Sequence, residues 1–505
     1  MRTRDPGPVR RGGPAALIAA LCVGAVLLAP SEPCALTAED LAGTLDGETV
    51  SLGEVDAVTD GALARSWREI DAIIRSSTRA ICGERLLAAD IARRAGRDLT
   101  GWRAALWERS LPGDGEVAAA LASRQPAAAG AAFALQIAHA LHVDRYRQAI
   151  ARATGALLAD AYVPDPAISE ALADGAQAGE RPLPRRLARC AAAEVTRAEV
   201  EQFAAFPLYR RRAAIVAAAC RQLAPDYAMP LVLARLARER GSSVEALEKS
   251  LDGDVAPPSD AEIAEVAKKR YGHVSRAERA KVRLALTAVR RSEARLAWRT
   301  ALLAKTTSSC ALRAPVTPKV MLRARSGSPR AHPAVYAVPV TLFGAFRCHH
   351  CAATWEIVAS IRADPSTPIS FALRHYFPDK SLAAFEDAVA AECSRRQGRF
   401  WDYVAASRQR GAAGALQGPV EVAGLDRAAA VACAADPRTA VQVLADVEEG
   451  RRLGFGDAIP SWVVAGQPRR GFQGERVVRD MIEAARRENA TRRTRRRRAD
   501  EEPSR

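Results

Sequence analysis

Val338-Pro339-Val340-Thr341-Leu342-Phe343, then Cys348-His349-His350-Cys351, then Ala352 to Ile361 give an apolar strand, two cysteines separated by two residues, and an apolar helix, in that order. The order puts the first cysteine at a helix N-terminus. There, unpaired backbone N–H groups and the positive end of the helix dipole stabilise a thiolate. His349 or His350, when protonated, would add a cation beside it. The pKa expected for Cys348 is therefore well below that of a free thiol. Such a thiolate leaves easily from a mixed disulfide and favours the reduced form, so the stretch reads as an oxidising redox dithiol.

A Cys-x-x-Cys pair has two other readings, half of a structural zinc site and a chance pairing. The zinc reading needs a second pair nearby, and Cys393 and Cys433 are single cysteines far downstream. Against both stands Ile459-Pro460-Ser461-Trp462-Val463-Val464-Ala465-Gly466, which reads as a strand opened by an X-Pro bond of the kind held cis in folded proteins.

From about Val338 to Ala485 the chain resembles a DsbA-type thioredoxin-like domain. The resemblance is carried by the CHHC, by Ala390-Ala391-Glu392-Cys393 followed by Gln397-Gly398-Arg399-Phe400-Trp401, by Leu425-Asp426 with Ala432-Cys433, and by Ile459-Pro460, in the family's order and spacing. It implies that Cys348 is the exposed attacking thiol and Cys351 the buried resolving thiol. It also implies that Pro460 is a cis-proline whose neighbour Ile459 docks the substrate backbone. The sequence departs from the family at Leu342, six positions before Cys348, where family members usually carry an acid, and at Ala345, where Asp is frequent. Without that carboxylate, proton transfer to and from Cys351 must pass through water or a histidine.

At 505 residues the chain is too long for one core. Arg2, Arg4, Arg10 and Arg11 precede the apolar run Ala15 to Ala29, the pattern of an export signal and short for a membrane span. Residues 1–35 are read as a signal peptide or uncleaved N-terminal anchor, which places the protein in the periplasm or cell envelope of a bacterium. Past Cys22 and Cys34, eight cysteines remain, and export permits disulfides among them. The formal net charge is +16, and the tail from Thr491 to Arg505 supplies four of it. No aromatic residue interleaves with its arginines, so the tail, 489–505, is read as basic and disordered, with no nucleic acid as partner.

Sliding the chain by 145 residues lays Glu54-Val55 on Glu199-Val200, Leu63 on Leu208, Ile70 on Ile215, and Ala156-Leu157-Leu158 on Ala301-Leu302-Leu303. Each unit reads as a short strand followed by amphipathic helices. The pattern resembles the N-terminal helical domain of SurA-type periplasmic chaperones, with no parvulin-like isomerase domain beside it. The organisation read from the sequence is repeat 1 over 41–163, a linker over 164–188, repeat 2 over 189–318, a linker over 319–334 and the DsbA-like domain over 335–488. The fold class is thus multidomain: two mainly α-helical repeats, then an α/β thioredoxin-like fold with a helical insertion.

His139 and His142 lie one helical turn apart on one face, a spacing that could hold a metal, and the favoured reading is surface histidines without further ligands. Expected structural disulfides join Cys393 to Cys433 within the helical insertion and Cys190 to Cys310, which sit beside strands that would be neighbours in the SurA-like domain. No cofactor or metal is expected. The functional expectation is an exported thiol:disulfide oxidoreductase, an oxidase in preference to a reductase or isomerase. Cys348 and Cys351 are its catalytic pair, His349 and His350 activate the thiolate, and Ile459 and Pro460 bind substrate. Unfolded or reduced exported proteins are its clients, held by the repeats, and a membrane quinone-linked partner re-oxidises it. The alternative is a chaperone-like peptide-binding or scaffold protein whose dithiol senses redox state or binds metal.

Overall fold

The computed structural model describes residues 36, 39–95, 98–123, 131–166, 184–272, 275–323, 337–364, 366–378, 381–410 and 424–501. The export segment, most of the first linker and residues 324–334 of the second lie outside them.

Repeat 1 opens with a hairpin, β1 (Leu41–Leu45) and β2 (Glu48–Ser51), closed by Asp46 and Gly47. Both turn residues have positive φ, 52° and 80°, which suits a two-residue turn to the twist of the strands. Helices α1 (Leu52–Val58), α2 (Ala62–Ala95), α3 (Leu99–Arg109), α4 (Asp114–Ala122) and α5 (Ala131–Ala161) follow, then strand β3 (Tyr162–Pro164). Repeat 2 restates the series as β4 (Arg186–Cys190), β5 (Ala193–Thr196), α6 (Arg197–Phe203), α7 (Ala205–Gln222), α8 (Met229–Glu239), α9 (Val244–Ser250), α10 (Asp260–Tyr271), α11 (Arg276–Leu303) and β6 (Ser308–Cys310). The 145-residue shift is visible in the caps. Ser51 and Glu54 form a reciprocal capping box on α1, and Thr196 and Glu199 form the same box on α6. The long α2 of repeat 1 corresponds to two helices in repeat 2, where Pro225 begins a short 3₁₀ turn between α7 and α8.

The chain forms two compact units, and their boundaries cut across the repeats. Among the described residues, the first comprises those up to Asp71 and Arg211–Pro315, and the second those over 72–166, 184–210 and from Val316 onward. In the first, the sheet order is β2-β1-β6, with Gly43 opposite Cys310 and Leu45 opposite Ser308. A Cβ at Gly43 would fall 1.9 Å from the Ser309 carbonyl oxygen, so β6 can lie there only against glycine. In the second unit the order is β3-β4-β5, with Tyr162 opposite Cys190. Each repeat's hairpin therefore takes its third strand from the end of the other repeat. The repeats do not fold as consecutive bodies over 41–163 and 189–318.

This exchange corrects the expected Cys190–Cys310 bond. Cys190, on β4, is bonded to Cys82 on α2, and Cys310, on β6, is bonded to Cys220 on α7. The terminal strands of repeat 2 lie in different sheets, so their cysteines cannot meet. Cys393 is bonded to Cys433.

The C-terminal part of the second unit holds β7 (Val338–Gly344), α12 (His349–Ala363), β8 (Ile369–His375), α13 (Leu382–Arg396), α14 (Phe400–Arg410), α15 (Arg427–Ala435), α16 (Pro437–Arg452), β9 (Ser461–Val464), β10 (Gln467–Arg470) and α17 (Glu475–Glu501). The sheet order is β10-β9-β7-β8: β7 and β8 are parallel, joined by the α12 crossover, while β9 runs antiparallel to β7 and β10 to β9. Both faces are covered. Leu342, Leu373 and Trp462 share a core with Trp355, Tyr403 and, from α17, Val478 and Ile482. Phe343, Tyr376 and Phe455 share another with Phe385, Val447 and, from the helical repeats, Trp107, Tyr146 and Phe206. The fold class is the one expected, mainly helical repeats followed by a thioredoxin-like α/β domain with α13–α16 inserted between β8 and β9.

Two other expectations change. Val320, assigned to a linker, is buried, and its N–H donates to the Gly466 carbonyl at 2.7 Å. The tail assigned as disordered is helical through Glu501, supported by four-residue-spaced pairs Glu483–Arg487 and Glu488–Arg492. Among the described residues, no helix is long and apolar enough to cross a membrane.

Candidate active site

Strand β7 ends at Gly344, and a short turn delivers Cys348 to the N-cap of α12 with extended backbone, φ −97° and ψ 122°. Its Sγ accepts the Cys351 N–H at 3.2 Å, satisfying a donor that the helix leaves unpaired. The Cys348 thiol is half-buried, whereas Cys351, one turn inward, is fully buried. The Cys348 pKa is lowered from 9.0 to about 7. The largest cause is the hydrogen bond from the Cys351 thiol, partial burial opposes it, and the backbone N–H groups of Cys351 and His350 add to the lowering. The Cys351 thiol is pushed up by its bond to Cys348 and by burial. The two sulfurs are thus split into a reactive thiolate and a retained thiol.

Cys348 and Cys351 are free thiols, and the peptide bond Ile459–Pro460 beside them is cis. The Ile459 carbonyl lies 3.7 Å from Cys348 Sγ, with Pro460 buried behind it and Ile459 half-exposed. His349 and His350 are exposed, their rings 5.6 Å apart. The acidity of Cys348 comes from hydrogen bonds, with His350 contributing through its backbone N–H, where the sequence had suggested an imidazolium. Phe472, which the sequence reading missed, is exposed with its ring 6.2 Å from that of His350 and gives the rim an apolar edge.

Leu342 and Ala345, the two departures noted in the sequence, are buried among apolar neighbours. The buried charges in this domain lie elsewhere. His375 Nε2 is 2.9 Å from Glu392 Oε1, Arg395 Nε donates to Glu392 Oε2 at 2.7 Å, and Arg347 Nε donates to Asp387 Oδ2 at 2.6 Å. Sequence spacing could not reveal the first pair, because it joins the end of β8 to the middle of α13.

His139 and His142 are buried, contrary to the surface reading. His142 stacks on Trp107 at 3.7 Å and its Nε2 lies 2.8 Å from the Trp107 carbonyl oxygen, while His139 packs on Phe385 at 4.7 Å. Burial lowers the pKa of both, that of His139 to about 4, and both serve as packing residues. Among the described residues, no group of three or more His, Cys, Asp or Glu could hold a metal ion.

Residues 327–484 match the thioredoxin family model, a little under a third of the chain. No curated protein matches. Among solved structures, a thioredoxin-like oxidoreductase from Silicibacter pomeroyi DSS-3 is 22% identical, with 32% of this chain and 94% of that one covered at a TM-score of 0.30. The thiol-disulfide exchange protein alpha-DsbA2 from Wolbachia pipientis is 17% identical, covering 31% and 86% at 0.28. BdbD from Bacillus subtilis is 16% identical, covering 33% and 96% at 0.30. The family match begins at residue 327 and leaves the helical repeats unassigned.

Proposed function

We propose that the protein is an exported thiol:disulfide oxidoreductase that oxidises cysteines of unfolded client proteins. The observation that carries this is the geometry at Cys348, a half-exposed thiol of pKa about 7 at a helix N-cap, backed by a buried thiol and bordered by the carbonyl of a residue before a cis-proline. In the oxidised enzyme, a client thiolate attacks Cys348 Sγ. The Cys348–Cys351 bond breaks, and Cys351 leaves with the electron pair and takes up a proton. A second client thiolate then attacks the client sulfur of the mixed disulfide and releases Cys348 as a thiolate, a good leaving group because its pKa is low. The client has lost two electrons and the dithiol has gained them. A membrane partner linked to quinone removes them.

Export is supported by the basic and apolar N-terminal pattern and by three disulfides among the described residues. The role of the repeats as client-binding elements, in the manner of SurA-type chaperones, is supported by exposed apolar side chains on α11, Leu284, Val289 and Leu296, among its arginines.

Substitution tests the roles. Cys351→Ser is expected to accumulate thiol-sensitive adducts with clients, because the resolving thiol is missing, and Cys348→Ser to lose all exchange. Adducts absent from the first together with activity retained by the second would overturn the assignment. Equilibration with glutathione tests the direction: an oxidase is expected to have a potential above about −200 mV.

A further inference from the structure

We propose that His375 is the proton acceptor and donor for Cys351, oriented by Glu392 and Arg395, in place of the carboxylate that Leu342 does not supply. The inference rests on the dithiol reading above and assigns that site a further residue.

Gly344 is the last residue of β7, and a Cβ built on it would lie 3.5 Å from Cys351 Sγ and 3.8 Å from the Leu342 side chain. The open face of Gly344 is therefore the seat of the buried sulfur, and Leu342 flanks it. In the parallel ladder Gly344 is paired with His375, and Leu342 with Leu373. Paired residues on neighbouring strands project to the same face, with backbones about 4.8 Å apart. His375 thus sits on the adjacent strand, on the face of the sheet where Cys351 is seated, with no direct hydrogen bond between its Nδ1 and Cys351 Sγ. Phe346 lies 6.2 Å from the His375 ring and 6.1 Å from Trp355, which follows Cys351 by one turn of α12.

His375 is 1% exposed, and its Nδ1 has no hydrogen-bond partner among the described residues. Its Nε2 faces Glu392, whose other carboxylate oxygen receives the Arg395 guanidinium. An ionised Glu392, paired with Arg395, can only accept, and in that state Nε2 carries the hydrogen and Nδ1 presents a lone pair, the tautomer the relay requires. The remaining charges around the ring are paired. Asp446 of α16 accepts the His375 backbone N–H at 3.1 Å and faces Arg374 at 3.5 Å, and Asp387 of α13 is held by Arg347.

With oxidised glutathione as disulfide, the Cys348 thiolate attacks one glutathione sulfur and releases a glutathione thiolate. Cys351 then gives its proton to His375 Nδ1 through one bridging water, since no direct hydrogen bond joins them, the imidazolium being stabilised by Glu392, and the Cys351 thiolate attacks Cys348 Sγ. The Cys348–Cys351 bond forms and the second glutathione leaves as a thiolate, which takes a proton. Two electrons pass from the dithiol to glutathione, and in the oxidase direction the same proton returns to Cys351.

The test mixes the reduced full-length protein with excess oxidised glutathione and follows the mixed disulfide by acid quench and mass spectrometry across pH 5.5–9, in the unaltered protein and in His375→Gln and Glu392→Gln. Both variants should resolve the mixed disulfide about 10- to 100-fold more slowly at neutral pH and recover as pH rises and solvent base takes over, with alkylation of Cys348 unchanged. Unchanged pH profiles in folded variants would overturn the proposal. Nitrogen NMR of the unaltered protein reads the tautomer independently of whether the variants fold: a hydrogen on Nε2 supports the relay, and a hydrogen on Nδ1 in the reduced protein refutes it. Failure of the unaltered protein to form the Cys348–Cys351 bond at all would instead refute the oxidoreductase reading.

Discussion

The thiolate of Cys348 is held by donors from a single turn of helix, the Cys351 thiol and the backbone N–H groups of Cys351 and His350. Its alkylation by iodoacetamide should rise with pH around a midpoint near 7 and level off above, while Cys351 stays unreactive in the folded protein. A midpoint near that of a free thiol would remove the basis for its leaving-group role. The same shift links to stability. A pKa lowered on folding stabilises the reduced protein above the ordinary thiol pKa, and that stabilisation is lost as pH falls through about 7. The melting temperature of the reduced protein, relative to Cys348→Ala, should therefore be higher at pH 9 than at pH 6. The cysteines and Pro460 were legible in the sequence because their chemistry is local, a spacing of two residues and an X-Pro bond before an apolar run. The His375–Glu392 pair was not, because strand register and helix packing bring it together. The one trace it left in the sequence was the missing acid at Leu342, which called for a substitute.

The helical insertion is closed by Cys393–Cys433, which joins α13 to α15 across 40 residues. In the chain-entropy account a loop of that size is worth about 4 kcal/mol, so replacing both cysteines by alanine should lower the unfolding free energy by that order in a urea titration with Cys348 and Cys351 kept reduced. No change would mean that the insertion is held by its apolar core alone. Gly43→Ala should break β1 from β6, seen as faster hydrogen exchange in the Asp46 and Ala311 amides that close the strand's ends. The repeats themselves were legible, since the capping Ser51 and Thr196 and the acids three residues on keep the 145-residue shift. The exchange of strands was not. Strands β3 and β6 are three residues each, too short to declare a partner, and pairing depends on where the intervening helices deliver them.

For the whole chain, the second unit changes what a shortened protein should do. Phe385, Phe455 and Val463 share a core with Trp107, Tyr146, Phe206 and Val320. A fragment from Ala334 to Glu488 loses those four partners, so it should scatter light and melt at a lower temperature than the full chain. Equal melting would show that the dithiol domain is autonomous. The contribution of the repeats is better tested in the intact protein. Leu284→Ser with Leu296→Ser should slow oxidation of a large unfolded client several-fold and leave reaction with glutathione unchanged, and an equal rate on both substrates would make α11 a spacer. The three disulfides carry one more consequence, for the protein's own maturation. Cys82 joins Cys190, Cys220 joins Cys310, and Cys393 joins Cys433, with the redox pair Cys348 and Cys351 between the last two bonds. The six bonded cysteines could be paired in about fifteen ways, and this is the one in which each finds the next of them to emerge. A chain crossing a membrane N-terminus first, and oxidised as its cysteines arrive, would reach this pattern in order of arrival, without a disulfide having to be reshuffled.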